Sequence, residues 1–396
     1  MIKSIFDYNF AGKRVLIRVD FNVPLTSDGK VADDTRIVES LTTINKIIDD
    51  GGIPILISHL GRPKGEPNPK YSLKPVADYL SEKFGYNVKF VSNCIGEEVE
   101  KIVGGSIPGE VILLENLRFH KAEELNSEDF AKELRKLADV YVNDAFATCH
   151  RAHSSIDALP RLFEEKFAGQ LLLNEIHYLG KAISDPPKPY LAIIGGAKIS
   201  GKIDVIQNLL EKCDTILIGG GLAYTFFKAI GYDVGNSIIE SEKVELAKSL
   251  LETAKSMNKA LILPRDVIIA DKLSQDAEVK NVQSDSIPEG WMGVDIGLET
   301  RKQFKDLISN ARMVVWNGPV GVFEIEKFSE GTKAIAYAMA DATSKGAITI
   351  IGGGDSAAAI AKLGLKDKVS LVSTGGGASL DFLAGKPLPG ITALEN

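Results

Sequence analysis

The stretch AITIIGGGDSAAAIAK, residues 347–362, decides the fold class. Ala347 to Ile351 is an aliphatic, β-branched run of strand length, Gly352, Gly353 and Gly354 end it, and a small-residue helix opens at Asp355-Ser356. A strand that passes through glycines directly into a helix is one βα unit. The same alternation of short aliphatic runs with longer amphipathic stretches recurs along the chain. Strands are expected at 15–20, 53–58, 88–91, 111–115 and 140–143, then at 189–194, 215–218, 260–263, 313–316, 347–351 and 369–373. The fold class is therefore α/β, with two doubly wound parallel-sheet (Rossmann-like) domains, each half having strands enough for its own sheet. No sequence repeat relates the halves. A length of 396 residues also exceeds the size at which single cores usually stop growing.

Between the halves, a helical pattern from Gly169 to Ile183 ends in SDPPKP, residues 184–189, whose prolines cannot continue a helix. The expected division is an N-terminal domain at 1–170, an interdomain helix and linker at 171–188, and a C-terminal domain at 189–377. The tail, 378–396, contains the loop-like Lys386-Pro387-Leu388-Pro389-Gly390 and is expected to return to the N-terminal domain.

Composition narrows the function. The net charge of -7 disfavours general affinity for nucleic acid, which selects a basic face. No run of 18 uninterrupted apolar residues occurs, and MIKSIFDYNF lacks the apolar core of a signal peptide, so neither a membrane nor secretion is expected. Cys94, Cys149 and Cys213 are odd in number and widely separated, which fits a reducing, cytoplasmic setting better than a disulfide framework or a metal cluster.

In open parallel sheets, ligands bind beyond the carboxyl ends of the strands. In the second half those ends are glycine clusters: Gly195-Gly196, Gly219-Gly220-Gly221, Asn317-Gly318-Pro319-Val320-Gly321, Gly352-Gly353-Gly354-Asp355 and Gly375-Gly376-Gly377. Glycine there implies backbone N–H groups close to a phosphate chain. In the first half the ends carry Asp20 and Asn22, His59 and Arg62, Arg118, then Arg151, a receptor for a small, highly anionic molecule.

Each motif has a plain alternative. GAKISGKI, residues 196–203, is a near miss to a phosphate loop, since Ile203 stands where a magnesium-binding Ser or Thr belongs; Lys198 and Lys202 either meet phosphate or are solvated in a tight turn. Asp355 either coordinates a nucleotide-bound magnesium or caps a helix, and Ser356 either caps or meets phosphate. Glu324 either accepts from ribose hydroxyls or is a solvated carboxylate. Arg36, Arg62, Arg118 and Arg151 taken singly are ordinary surface ion pairs, Asp20 and Asn22 suit a substrate hydroxyl or a turn before Pro24, and His150 and His153 read as local hydrogen-bonding residues. No GxGxxG, H-E-x-x-H or G-x-S-x-G segment occurs, which leaves phosphoryl transfer.

Taken together, these segments resemble the phosphoglycerate kinase family along essentially the whole chain. The resemblance is carried by RVDFNVP from Arg18, SHLGRP from Ser58, LENLRF from Leu114, NDAFATCHRAHSS from Asn143, GGAKISGKI from Gly195, WNGPVGVFE from Trp316, GGGDS from Gly352 and STGGGASL from Ser373, in family order. It implies that Asp20, Asn22, Arg36, His59, Arg62, Arg118 and Arg151 hold 3-phosphoglycerate or 1,3-bisphosphoglycerate. The same carry-over assigns Gly196, Lys198, Lys202, Gly220, Gly293, Asn317, Pro319, Glu324, Gly352, Gly353, Gly354, Asp355 and Ser356 to ATP or ADP. It also gives Asp355 the Mg2+ ion and makes Arg36, Lys198, Gly353 and Gly376 the catalytic set, in a monomer. Departures are small: Ser356 stands where Thr is usual, and Ala147 and Cys149 where Gly and Ala are often found. Cys149 beside His150 and Arg151 is either a sensitive thiol or a buried inert one.

The acceptor implied is a carboxylate, ionised at neutral pH, so no general base is expected. Catalysis then consists of positioning and charge neutralisation, with closure about 170–190 and 373–380. The competing readings are a kinase for another small acid and a non-catalytic nucleotide-binding protein of the same fold.

Overall fold

The computed structural model describes residues 2–395. They form two compact units, one holding residues 2–176 and 387–395, the other His177–Lys386. In the first, β1 (Arg14–Arg18), β2 (Ile53–Ile57), β3 (Asn87–Val91), β4 (Glu110–Leu114), β5 (Val140–Asn143) and β6 (Lys166–Ala168) make one parallel sheet in the order β3-β4-β2-β1-β5-β6. Every residue of β2 is buried, which is why a centrally placed parallel strand reads as an unbroken apolar run. The chain leaves β1 toward β2 and later returns to the other side of β1 with β5. That reversal opens a crevice at the carboxyl ends of these two strands, beyond Arg18 and Asn143.

The second unit contains β7 (Tyr190–Ile194), β8 (Thr215–Ile218), β9 (Ala260–Ile262), β10 (Asp266–Ala270), β11 (Val279–Gln283), β12 (Met292–Ile296), β13 (Met313–Asn317), β14 (Ile348–Gly352) and β15 (Leu371–Val372). Its main sheet runs β15-β14-β13-β7-β8-β9, also parallel, and reverses direction between β7 and β13. The glycine-rich ends after Ile194 and Asn317 therefore face one crevice. The two sheets bear out the α/β class.

Two elements depart from the sequence reading. A three-stranded antiparallel sheet, β11-β10-β12, has no counterpart among the expected strands. Its β11 is mostly exposed and polar, while β12 is interrupted by Gly293 and Asp295, so neither shows the apolar run of a buried strand. β6, of three residues at a sheet edge, is missed for want of length. In addition, the chain rejoins the first unit at Pro387 rather than at 378. Residues before that are tied within the second unit, where Lys386 pairs with Asp204 at 2.6 Å and Asn208 donates to the Leu383 carbonyl. Beyond it, the Gly390 N–H donates to the Cys149 carbonyl at 2.9 Å, and an added Cβ there would press on Ile156 and Cys149. A helix, Gln170–Ser184, occupies the stretch whose pattern is helical from 169 to 183, and the division between units falls within it.

Candidate active site

At the carboxyl end of β1 the backbone turns through Val19-Asp20-Phe21-Asn22, and side chains rather than helix ends hold that turn. Ser58 Oγ accepts the Phe21 N–H at 2.9 Å, and Asn22 Oδ1 accepts the Gly61 N–H at 2.9 Å, locking the β1 loop to the β2 loop. Arg118 donates through Nη1 to the Gly61 carbonyl at 2.9 Å. It sits on a 3₁₀ turn, Leu117–Phe119, capped by Asn116, whose amide also donates to the carbonyls of Leu60 at 2.7 Å and Tyr71 at 2.8 Å. Arg36, the second residue of the helix Thr35–Asp49, pairs with Asp20.

These contacts gather Asp20, Asn22, Arg36, His59 and Arg118 in one place. Burial, then the charges of Arg18, Arg118 and Arg36, push His59 well below the usual histidine range, so its ring is neutral. Burial and the nearby Arg18 lower Arg118 to about 10, with Arg151 adding to the effect. The same causes, burial first and then Arg118 and Arg18, bring His153 to about 4. Arg36 is paired with Asp20 and Arg118 Nε lies 3.4 Å from Glu124 Oε1, yet Arg118 Nε is buried without a hydrogen-bond partner, and an incoming anion would supply one. Arg151 is half-buried and donates to His150 Nε2 at 3.1 Å. Arg62 is exposed on the loop next to Gly61.

In the second unit, a cleft of about 530 Å³ is lined by Gly196, Gly220, Gly293, Pro319, Glu324 and Asp355 among others. Apart from Asn236 and Asp295 its remaining wall is apolar, with Tyr224, Ile238, Leu273, Met292 and Val322 giving the surface that a planar heterocycle requires. Gly293 is necessary on β12 because any Cβ there would overlap the Tyr224 ring.

Here the glycine clusters need correcting. The N–H groups of Gly195, Gly196 and Gly220 are committed to the carbonyls of Asn317, Pro319 and Val320, at 2.9, 2.8 and 3.0 Å. A Cβ on Gly220 would stand 2.7 Å from Gly196 N and from the Pro319 oxygen. Glycine at 195 and 220 serves close approach of one loop to another, and the N–H groups at these two strand ends are not free for phosphate. Gly353 and Gly354 differ: they begin the helix Gly354–Lys362, whose first-turn N–H groups point out of its N-terminus. Gly376, with φ +53, has open space where a Cβ would be.

Ser356 is fully buried and accepts the Gly318 N–H at 2.8 Å, while the Trp316 indole donates to the Gly318 carbonyl at 2.7 Å, so it fixes the β13 loop. The N-cap of that helix is Gly353, with no side-chain cap, which removes the plain capping role for Asp355. Asp355 stands exposed on the first turn.

Lys202 donates to Asn317 Oδ1, and since an ammonium cannot accept, this fixes the amide orientation. Asn317 Nδ2 is then buried with no partner, and a Cβ on Gly352 would lie 2.9 Å from it. An unpaired donor beside Gly352 and Gly353 and close to Lys202 fits an anionic oxygen. Burial lowers Lys202 to about 8, partly offset by Asp355. Lys198 is exposed in the turn ahead of Lys202.

Sequence reasoning missed Arg18, Tyr224 and Asp295. Arg18 ends and Asp295 interrupts an otherwise apolar run with a charge, a usable signal: Arg18 is fully buried, and Asp295 pairs with Arg301 at 3.0 Å in the cleft wall. Nothing local marks Tyr224.

The ambiguity over Cys149 resolves toward inertness. All three thiols are buried, and burial raises Cys149 and Cys213 to about 12 and Cys94 further still. An aromatic disulfide reagent at pH 8 is therefore expected to label no thiol in the native chain and three after unfolding. Rapid native labelling of Cys149, located by peptide mapping, would refute this.

A family model described as phosphoglycerate kinase matches residues 5–386. Phosphoglycerate kinase of Chloroherpeton thalassium is 57% identical over 394 residues, covering 100% of this chain and 99% of that protein. That of Thermosipho africanus is 55% identical, covering 99% and 98%. Among solved structures, phosphoglycerate kinase from Coxiella burnetii superposes with a TM-score of 0.91 at 42% identity, covering 100% of this chain and 99% of that one. The enzyme from Pyrococcus horikoshii gives 0.82 at 33% identity, with 99% and 98% covered.

Proposed function

The chain belongs to the phosphoglycerate kinase family, and from that premise we propose how its side chains divide the reaction. It catalyses reversible phosphoryl transfer between ATP and the carboxylate of 3-phosphoglycerate, giving 1,3-bisphosphoglycerate and ADP, a step of glycolysis. The first unit takes 3-phosphoglycerate through Arg36, His59, Arg62, Arg118 and Arg151, with Asp20 and Asn22 toward its hydroxyl. The observation that carries this assignment is the gathering of Arg118, Arg36 and His59 at the switch point of the sheet, where Arg118 Nε is buried without a hydrogen-bond partner and Arg118 lowers both His59 and His153.

The second unit takes the nucleotide, its base against the Tyr224 side of the cleft, Glu324 near the ribose and the phosphates toward Lys202, Asn317 and Gly354. Asp355 is the residue that would hold the nucleotide's Mg2+. One exposed carboxylate at the cleft fits, because Mg2+ is usually held by one or two carboxylates plus phosphates and water. When bound, the ion would supply charge neutralisation to the nucleotide's phosphates. The acceptor carboxylate attacks in line without a base, and Arg36 and Lys198 balance the charge on the moving group.

The family resemblance supports a monomer, and charge and thiol chemistry support a reducing cytoplasm without nucleic-acid partners: the net charge is -7, and all three cysteines are free. Among the described residues no helix is long and apolar enough to cross a membrane.

Calorimetry tests the division of labour. Arg118→Ala is expected to weaken 3-phosphoglycerate binding about 30-fold, the value of one charge-assisted bond, with ATP binding within about twofold of wild type. Equal losses for both ligands would refute the assignment. Because the two reactants bind different units, transfer also requires them to approach, and small-angle scattering should show compaction with both substrates bound. An unchanged radius of gyration would count against closure.

A further inference from the structure

Behind His59 lies a buried relay that the reaction as described does not use. Arg18, fully buried at the end of β1, donates through Nη2 to His59 Nδ1 at 3.2 Å and through Nε to Ser155 Oγ at 2.9 Å. Ser155 Oγ lies 2.6 Å from Glu123 Oε1, and the Ser155 N–H donates to Glu123 Oε2 at 2.9 Å. Ser155 and Glu123 are both fully buried. The Tyr141 hydroxyl donates to the Ser155 carbonyl at 2.7 Å, and Ser154 Oγ shares its one hydrogen between the carbonyls of Ala122 at 2.8 Å and Ser127 at 3.1 Å, which ties the segment down.

Donor and acceptor capacity sets the direction of every link. A guanidinium only donates, so Ser155 Oγ must accept from Arg18, and its one hydrogen goes to Glu123. By the same rule His59 Nδ1 must accept, and a neutral ring with an accepting Nδ1 carries its hydrogen on Nε2. Truncating Ser155 leaves Arg18 Nε unpaired in the interior and Glu123 short of a donor.

We propose that Ser155 and Glu123 are positioning residues for 3-phosphoglycerate, acting through Arg18 to hold His59 as the Nε2–H tautomer. This rests on the assignment of His59 to the 3-phosphoglycerate site. Neither residue touches substrate, so their effect falls on KM for 3-phosphoglycerate and spares the nucleotide.

The test uses the full chain with ¹⁵N-labelled histidine. With five histidines, a His59→Gln variant identifies the His59 signals by subtraction. Wild type should show hydrogen on Nε2 alone. Ser155→Ala should give mixed tautomer signals for His59, a KM for 3-phosphoglycerate raised about tenfold, the size of one charged hydrogen bond, and a KM for ATP within about twofold. Glu123→Gln, which keeps size and one acceptor, should shift both readouts the same way by less, and it carries the test if Ser155→Ala fails to fold. Unchanged His59 signals and unchanged KM in a folded variant overturn the relay. Should His59→Gln itself leave the KM for 3-phosphoglycerate unchanged, the substrate assignment is what has failed, and the positioning role falls with it even if the tautomer shifts.

Discussion

Arg36→Ala should lower kcat by about 10²- to 10³-fold while leaving ATP affinity within about twofold, the loss typical of removing one donor to transition-state charge. Arg36 lies at the start of its helix with its side chain 33% exposed, paired with an Asp20 that is nearly buried. The exposed part of the guanidinium is what an incoming phosphoryl group would meet. Arg36→Lys keeps the charge but not the planar fork, so it should recover only part of the rate. The change also strips Asp20 of its cation, so a Tm measured beside the kinetics separates lost stability from lost catalysis. A kcat within about threefold of wild type, or an equal loss of ATP binding, would remove Arg36 from the transfer step.

The second large effect concerns Lys202, whose ammonium burial has brought from 10.5 to about 8. Between those two values the unfolded chain binds more protons than the folded one, so stability without nucleotide rises with pH across that window. Below it the buried ammonium is a cost to the empty enzyme. Phosphate oxygens remove that cost by pairing with it, so ATP affinity should be highest below pH 8 and weaken as pH rises through it. At pH 8, binding should take up about half a proton per ATP, read by calorimetry in buffers of different ionisation enthalpy. Lys202→Met should abolish the uptake and reduce kcat about 10²-fold. Uptake that persists in the variant would place the titrating group elsewhere. Lys198, exposed in the turn ahead, offers a contrast: Lys198→Ala should slow turnover without altering the proton count.

How much of this was readable beforehand varied by residue. The strands Ile53–Ile57, Tyr190–Ile194 and Met313–Asn317 are buried throughout, and so their unbroken apolar runs announced them. Met292–Ile296 did not, because its glycine makes room for a ring contributed by Tyr224, from a helix some seventy residues earlier in the chain. Ser356 was only partly legible for a similar reason. Its hydroxyl was legible as polar and near phosphate, but whether it faced the ligand or Gly318 depended on a loop from a different strand. Between a sensitive and an inert Cys149 beside His150 and Arg151, only the packing that encloses it decides.

By itself the sequence determined the local matters: which runs form parallel strands, that cations collect at the strand ends of one half and glycines at those of the other, and which family the motifs resemble. Those follow from periodicity, charge and spacing, properties of neighbours along the chain. Only the tertiary structure decided which N–H groups are already spent between loops, which amide of Asn317 is left unpaired, and how Glu123, Ser155, Arg18 and His59 join. The reason is physical: hydrogen-bond capacity and burial are set by residues distant in sequence, brought together where each sheet reverses direction.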